Sequence, residues 1–252
     1  MRPTLFAKSA RPFLEAELRS LVITSFEIAP EKLRPYLPPG VELDMINDKT
    51  FVSLVGMVFG RPRLWGVIHA PFHHQFEQVN LRFYVVRRTS EGKRNGVVFI
   101  QEIVPRVSVA WAARRVYGEN YVRLPMKSLS DPATETGSPG AIEYRWRYEN
   151  RWMGLLAGVQ KEEIGTRPDA VQTFVSHRPW GYSLQEDGTC LEYRVAHPPW
   201  RLRKVAATQV TGDMSALWGT ELGNVLSGPP EFSVWVHHSS FTVYPPSLCM
   251  RT

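Results

Sequence analysis

Residues 141–152, AIEYRWRYENRW, decide how the rest of the chain is read. Ile142, Tyr144, Trp146 and Tyr148 alternate with Glu143, Arg145, Arg147 and Glu149, and that period of two belongs to a half-buried strand. Comparable runs recur at RSLVITSFEI (19–28), TFVSLVGMVF (50–59), QVNLRFYVVRR (78–88), GVVFIQEIV (96–104), CLEYRVA (190–196) and EFSVWVHHSSFTVY (231–244). Between them stand YLPPG, SEGKRNG, ETGSPG and SGPPE, whose prolines and glycines punctuate strands. Strands separated in this way predict a mainly β fold, a curled antiparallel sheet or barrel, because curling or closing a sheet hides its edges. Helices are few. Pro105–Tyr117 has a first-turn proline, apolar residues at helical spacing and Gly118 to end it; Glu31–Tyr36 and Asp213–Leu226 are shorter candidates. The stretch 131–140, DPATETGSPG, reads as loop.

With 252 residues, 43% hydrophobic and 21% charged, the chain is long enough for a sizeable core, and one domain spanning 1–252 is expected. No apolar run approaches the roughly 18 residues of a membrane span, and Arg11, Pro12, Glu15 and Glu17 interrupt the N-terminus, so a soluble cytoplasmic protein is expected. The net charge of +6 is spread along the chain and mixed with acids, which argues against nucleic acid as a partner. Lys8, Lys32, Lys49, Lys93, Lys127, Lys161 and Lys204 are the only lysines, and arginine supplies the remaining cations. Arginine's fork suits carboxylates, although genome composition explains the same bias. Cys190 and Cys249 have no CxxC partner and read as reduced thiols.

The richest stretch for chemistry is PFHHQFEQVNLRFYVV (71–86). Counting by two from Glu77 gives Val79, Leu81, Phe83 and Val85, so the carboxylate shares the apolar face while Gln78, Asn80, Arg82 and Tyr84 take the other. Glu77 is then either an inward carboxylate that needs a cation or donors, or a strand-end residue reaching solvent. His73, His74 and Glu77 with His237 and His238 suggest a metal site, but neighbours on a strand face opposite sides, so no metal and no other cofactor is expected.

Three short motifs, in order, resemble the acetoacetate decarboxylase-like superfamily. RSLVITSFEIAPEKLRPYLPPGVEL is similar to its N-terminal strand and turn, QFEQVNLR to its glutamate-bearing strand, and ARRVYGENY to the motif G-R-E-x-x-G-[FY]-P-K. FVSLVGMVF, VAHPPW and FVSHRPWGYSL, the last read as a strand, are similar to a bacterial branch of that superfamily. The resemblance implies a β fold with an internal pocket, Arg19 at the pocket arginine, Glu77 at the pocket carboxylate, Arg114 at the motif's arginine and Tyr121 where the decarboxylase has its Schiff-base lysine. A tyrosine cannot form an imine, but its phenol can donate to a carbonyl or act as an acid. Lys127, six residues on and beyond Pro125, would reach the pocket only if its loop curled back.

The expected function is therefore a pocket for a small carboxylate or carbonyl compound, worked without a Schiff base. Glu77 and Tyr121 are the expected catalytic groups, and Arg19, Asn80 and Arg114 the expected substrate-binding ones. The other reading is a non-catalytic small-molecule binding protein. No membrane partner is expected, and the oligomeric state is left open.

Overall fold

The computed structural model describes residues 11–65, 68–69, 75–131, 140–164 and 170–249. Over these residues the strand signals join into one 15-stranded sheet. Its longer strands are β1 (Leu14–Ile28), β2 (Thr50–Leu64), β3 (Gln75–Thr89), β4 (Gly92–Val104), β5 (Tyr121–Arg123), β6 (Met126–Asp131), β7 (Gly140–Tyr148), β8 (Arg151–Glu163), β9 (Trp180–Leu184), β10 (Cys190–Ala196), β11 (Arg203–Thr211) and β12 (Phe232–Val243). The ladder runs β10–β9–β4–β3–β2–β1–β12, and β12 pairs back onto β10 through Val195 with Val243 and Ala196 with Thr242. The sheet curls because these two ends meet, and the seven strands enclose a space.

From β12 the ladder continues through β11, β8 and β7 to β6. This wing folds over the outer face of β1–β3. Tyr144 donates to Ser20 O at 2.7 Å, Ser128 donates to Glu77 Oε1 at 3.0 Å, and Trp235 of β12 donates to Gln160 O of β8 at 2.8 Å. The contact needs Gly56, since a Cβ there would stand 2.2 Å from Tyr144 Cδ2. Val79, Leu81, Phe83 and Val85 pack with Ile142, Tyr144, Trp146 and Leu155 in the main core.

The central strands are consequently buried on both faces. On β3 the apolar parity meets the wing, while Phe76, Gln78, Asn80 and Arg82 line the enclosed space. A strand covered on two sides can bury polar side chains on one of them only where they meet partners or a ligand.

The helix expectations hold with small shifts. The first is α1 (Val107–Tyr117), ended by Gly118 at φ 63 in the left-handed region. Asp213 caps α3 (Met214–Ser227) by accepting from Ser215 N at 3.1 Å and Ala216 N at 3.3 Å, and Gly219 at φ 79 kinks it. Glu31–Tyr36 resolves into two 3₁₀ turns, Pro30–Lys32 and Arg34–Tyr36.

Two strand expectations need correction. AIEYRWRYENRW is a hairpin rather than one strand: Glu149 and Asn150, at φ 45 and 62, make the tight turn between β7 and β8. In FVSHRPWGYSL, Phe174–Ser176 close a helix, α2 (Ala170–Ser176), and β9 starts only at Trp180. Pro179 has no N–H to give to the ladder, so pairing begins after it. Of the loop at 131–140, residues 132–139 lie outside the described residues.

Candidate active site

The helix end and β4 bring acidic and phenolic groups into the enclosed space. Tyr117 O at the end of α1 accepts from Ser183 Oγ at 2.6 Å and Gln185 Nε2 at 3.2 Å. Gly118 turns the backbone there, and a Cβ on it would strike Gln185. The chain then runs parallel to β4: Glu102 N donates to Asn120 O at 2.9 Å, and Tyr121 is in register with Glu102. Asn120 Nδ2 donates to Ile100 O at 3.0 Å, and Arg114 Nε donates to Tyr121 O at 2.5 Å, fixing the turn from outside.

The space is a cavity of about 490 Å³, within the range of ligand pockets. Apolar side chains such as Leu18, Met57, Phe59, Phe76 and Phe99 make most of its wall. Two clusters of polar groups stand among its lining: Glu102, Glu119, Gln78, Tyr121 and Tyr193 in one, and Arg82, Arg178 and His197 in the other. Asn80 lies between, paired with Glu102 across β3 and β4.

At the acidic end, Gln78 Nε2 donates to Glu102 Oε1 at 2.7 Å and Tyr193 donates to Glu119 Oε1. Glu102 Oε2 is buried with no hydrogen-bond partner among the described residues. Burial, and then the neighbouring charge of Glu119, lifts the Glu102 carboxyl well above the ordinary carboxylate range. Burial raises Glu119 to about 7 against the pull of its hydrogen bonds. Two carboxyls in one low-dielectric site resist carrying two charges, so the pair holds a proton at neutral pH. Burial and then the nearby carboxylates push the Tyr121 phenol well up, keeping it protonated.

The residues expected from the sequence divide between cavity and exterior. Tyr121 and Asn80 line the cavity. Glu77 does not: it shares the apolar face of β3, as its parity requires, but that face meets the wing, where Ser128 donates to it. Arg19 lies outside as well, with its side chain 44% exposed and paired to Glu17 at 2.6 Å. Both align with Val58 in one row across β1, β2 and β3, so the two are a strand apart and form no pair. Arg114 is exposed and holds the Tyr121 backbone without entering the cavity. Lys127 is exposed, its ammonium 5.4 Å from the Trp152 ring centre, and no described lysine lines the cavity. Glu102, Glu119, Tyr193, Arg82 and Arg178 were not singled out by the sequence; an acidic residue inside the apolar run GVVFIQEIV was the available signal.

His73 and His74 lie outside the described residues, and His237 and His238 are exposed. Among the described residues no group of His, Cys, Asp or Glu is placed to hold a metal. Cys190 and Cys249 are free thiols. No described helix is long and apolar enough to cross a membrane.

Solved structures share the architecture. Acetoacetate decarboxylase from Legionella pneumophila superposes with a TM-score of 0.68 at 13% identity, over 99% of this chain and 92% of its own. The enduracididine biosynthesis enzyme MppR, solved with pyruvate, gives 0.67 at 14% identity over 94% and 90%. An acetoacetate decarboxylase-like enzyme from Sphingomonas wittichii RW1 gives 0.63 at 9% identity over 95% and 94%. No curated protein matches the chain in sequence. The model of the DUF2071 family, described as an uncharacterized conserved protein, matches residues 15–241. The chain therefore belongs to the DUF2071 family, and its fold is that of the acetoacetate decarboxylase-like proteins.

Proposed function

We propose that this single-domain protein is an enzyme that binds a small carbonyl compound in the cavity and moves protons by general acid–base chemistry, without an imine. One observation carries the reading: a proton-holding carboxyl pair and a protonated phenol face a mostly apolar cavity lined by no described lysine. Tyr121 donates to the substrate carbonyl, and the buried carboxyl of Glu102 beside it holds a proton that supports that donor. Glu119, titrating at about 7, takes a proton from the carbon beside the carbonyl. Asn80 positions the ligand between the two ends. A binding site for pyruvate in MppR supports a carbonyl ligand for the shared fold. The cytoplasm is the compartment proposed.

Exchange of α-protons tests this. In D₂O, a panel of methyl ketones and 3-oxo acids is followed by NMR with the wild type, Glu119→Gln and Tyr121→Phe. The wild type should exchange protons of at least one compound, and each variant should lose about 10²–10⁴-fold, the usual contribution of a positioned acid or base. Borohydride with the same compounds should leave the intact mass unchanged. An adduct on a lysine, or equal exchange in all three proteins, would overturn the mechanism. Binding without exchange would leave the other reading, a non-catalytic binding protein.

A further inference from the structure

The second polar cluster of the cavity, around Arg82 and Arg178, carries unbalanced positive charge among the described residues. Arg82 is 8% exposed, sits on the cavity face of β3, and among the described residues makes a single long hydrogen bond, from Nη2 to Val175 O at 3.3 Å. Its Nε has no partner among the described residues, and it forms no ion pair with any of them. Arg178 stands beside it, 6% exposed, its guanidinium 3.9 Å from the Phe174 ring centre. Arg178 is satisfied: it donates to Asp44 Oδ2 and to Phe174 O. Of the two buried guanidiniums only Arg178 has a carboxylate partner among the described residues. Asn80, 1% exposed, also has its Oδ1 without a partner among the described residues, so alternate positions on one face of β3 carry unmet polar atoms beside the cavity.

A buried cation without a counter-ion is costly, and a planar guanidinium with a free edge is built to receive a carboxylate. The mostly apolar wall suits one anionic group on a hydrophobic body better than a multiply charged ligand. Along a strand, alternate residues are about 7 Å apart. Asn80 pairs with Glu102, so Arg82 lies one such step beyond the carboxyl pair.

We propose that Arg82, backed by Arg178, docks the carboxylate of an oxo acid whose ketone lies several bonds away, against Tyr121 and Glu102. The inference rests on the reading that the acidic end takes a carbonyl. It separates this cavity's ligands from 2-oxo acids, whose two groups are adjacent and cannot reach both ends.

Calorimetric titration with 5-oxohexanoate, 2-hexanone, hexanoate and pyruvate distinguishes the two ideas. In the wild type, 5-oxohexanoate should bind about tenfold or more tightly than 2-hexanone, the usual worth of a hydrogen bond to a charged group. It should also bind more tightly than pyruvate. Arg82→Met should remove the advantage over 2-hexanone, and Arg82→Lys should keep part of it. Should Arg82→Met fail to fold, the wild-type comparison and Arg82→Lys still decide. Equal binding of 5-oxohexanoate and 2-hexanone, or an advantage that survives Arg82→Met, overturns the carboxylate site and leaves the carbonyl reading standing. If hexanoate binds in an Arg82-dependent way as tightly as 5-oxohexanoate, the carboxylate site stands and the carbonyl reading fails.

Discussion

Raising the pH from about 5 to about 8 is expected to cost the wild type roughly 3 kcal/mol of stability or more relative to a Glu102→Gln/Glu119→Gln variant. Both carboxyls have folded values above the ordinary 4.5, so the folded protein holds their protons more tightly than the unfolded chain. That stabilisation is fully present below about 4.5 and is lost as the pH rises through the folded values, about 7 for Glu119 and well above the ordinary carboxylate range for Glu102. A carboxyl carried from 4.5 to about 7, at about 1.4 kcal/mol for each pH unit, is worth roughly 3 kcal/mol. His197 works in the opposite direction. Burial lowers it from 6.5, so its contribution grows as the pH rises, and only the difference between wild type and variant isolates the pair. Glutamine keeps the shape and stays neutral, and urea melts at several pH values should give a flatter profile for the double variant. Parallel profiles would show that the carboxyls are not held protonated by the fold.

Trp235→Ala is expected to destabilise the fold by about 3–5 kcal/mol, the range for deleting a buried aromatic. The ring is 1% exposed, sits in the main core and ties β12 of the enclosing strands to β8 of the wing through its bond to Gln160 O. Alanine removes the packing and leaves that carbonyl without this donor. Trp235→Phe keeps most of the apolar area and should cost about 1–2 kcal/mol, near the net value of one hydrogen bond plus a small change of shape. Denaturant melts of the two variants separate packing from hydrogen bonding. Equal losses would mean that the indole N–H, not the ring, holds the joint.

The parity of QFEQVNLRFYVV was legible in the sequence, and so was the apolar membership of each face. What parity cannot show is that both faces are covered. For a sheet with one wet side, Gln78, Asn80 and Arg82 belong to solvent and Glu77 to the interior. Here the wing covers the Glu77 face, and the polar row lines a cavity instead. That inversion explains why Asn80 lines the cavity while Glu77 lies outside it; Arg19, placed by family resemblance and not by parity, also lies outside. The strands themselves were readable because β-branched and aromatic residues alternate between turns, as in CLEYRVA, whose bounds match β10. The motif pointed to Tyr121, which lines the cavity, but not to Glu119, two residues earlier in the same motif, nor to Glu102, which line it too. Their importance depends on a parallel pairing, β5 on β4, that joins a short loop to a distant strand and leaves no local pattern.

The central claim is that a buried carboxyl pair holds a proton facing the cavity. The most direct measurement is a carbon NMR titration of protein labelled at the glutamate side-chain carboxyls. Two resonances should have midpoints above the ordinary 4.5, and Glu119→Gln should remove one of them and lower the other, because the Glu119 charge is part of what raises Glu102. If every glutamate carboxyl titrates in the ordinary range, or the Glu102 midpoint ignores the loss of Glu119, the pair does not exist and the proposed chemistry loses its proton-holding carboxyls.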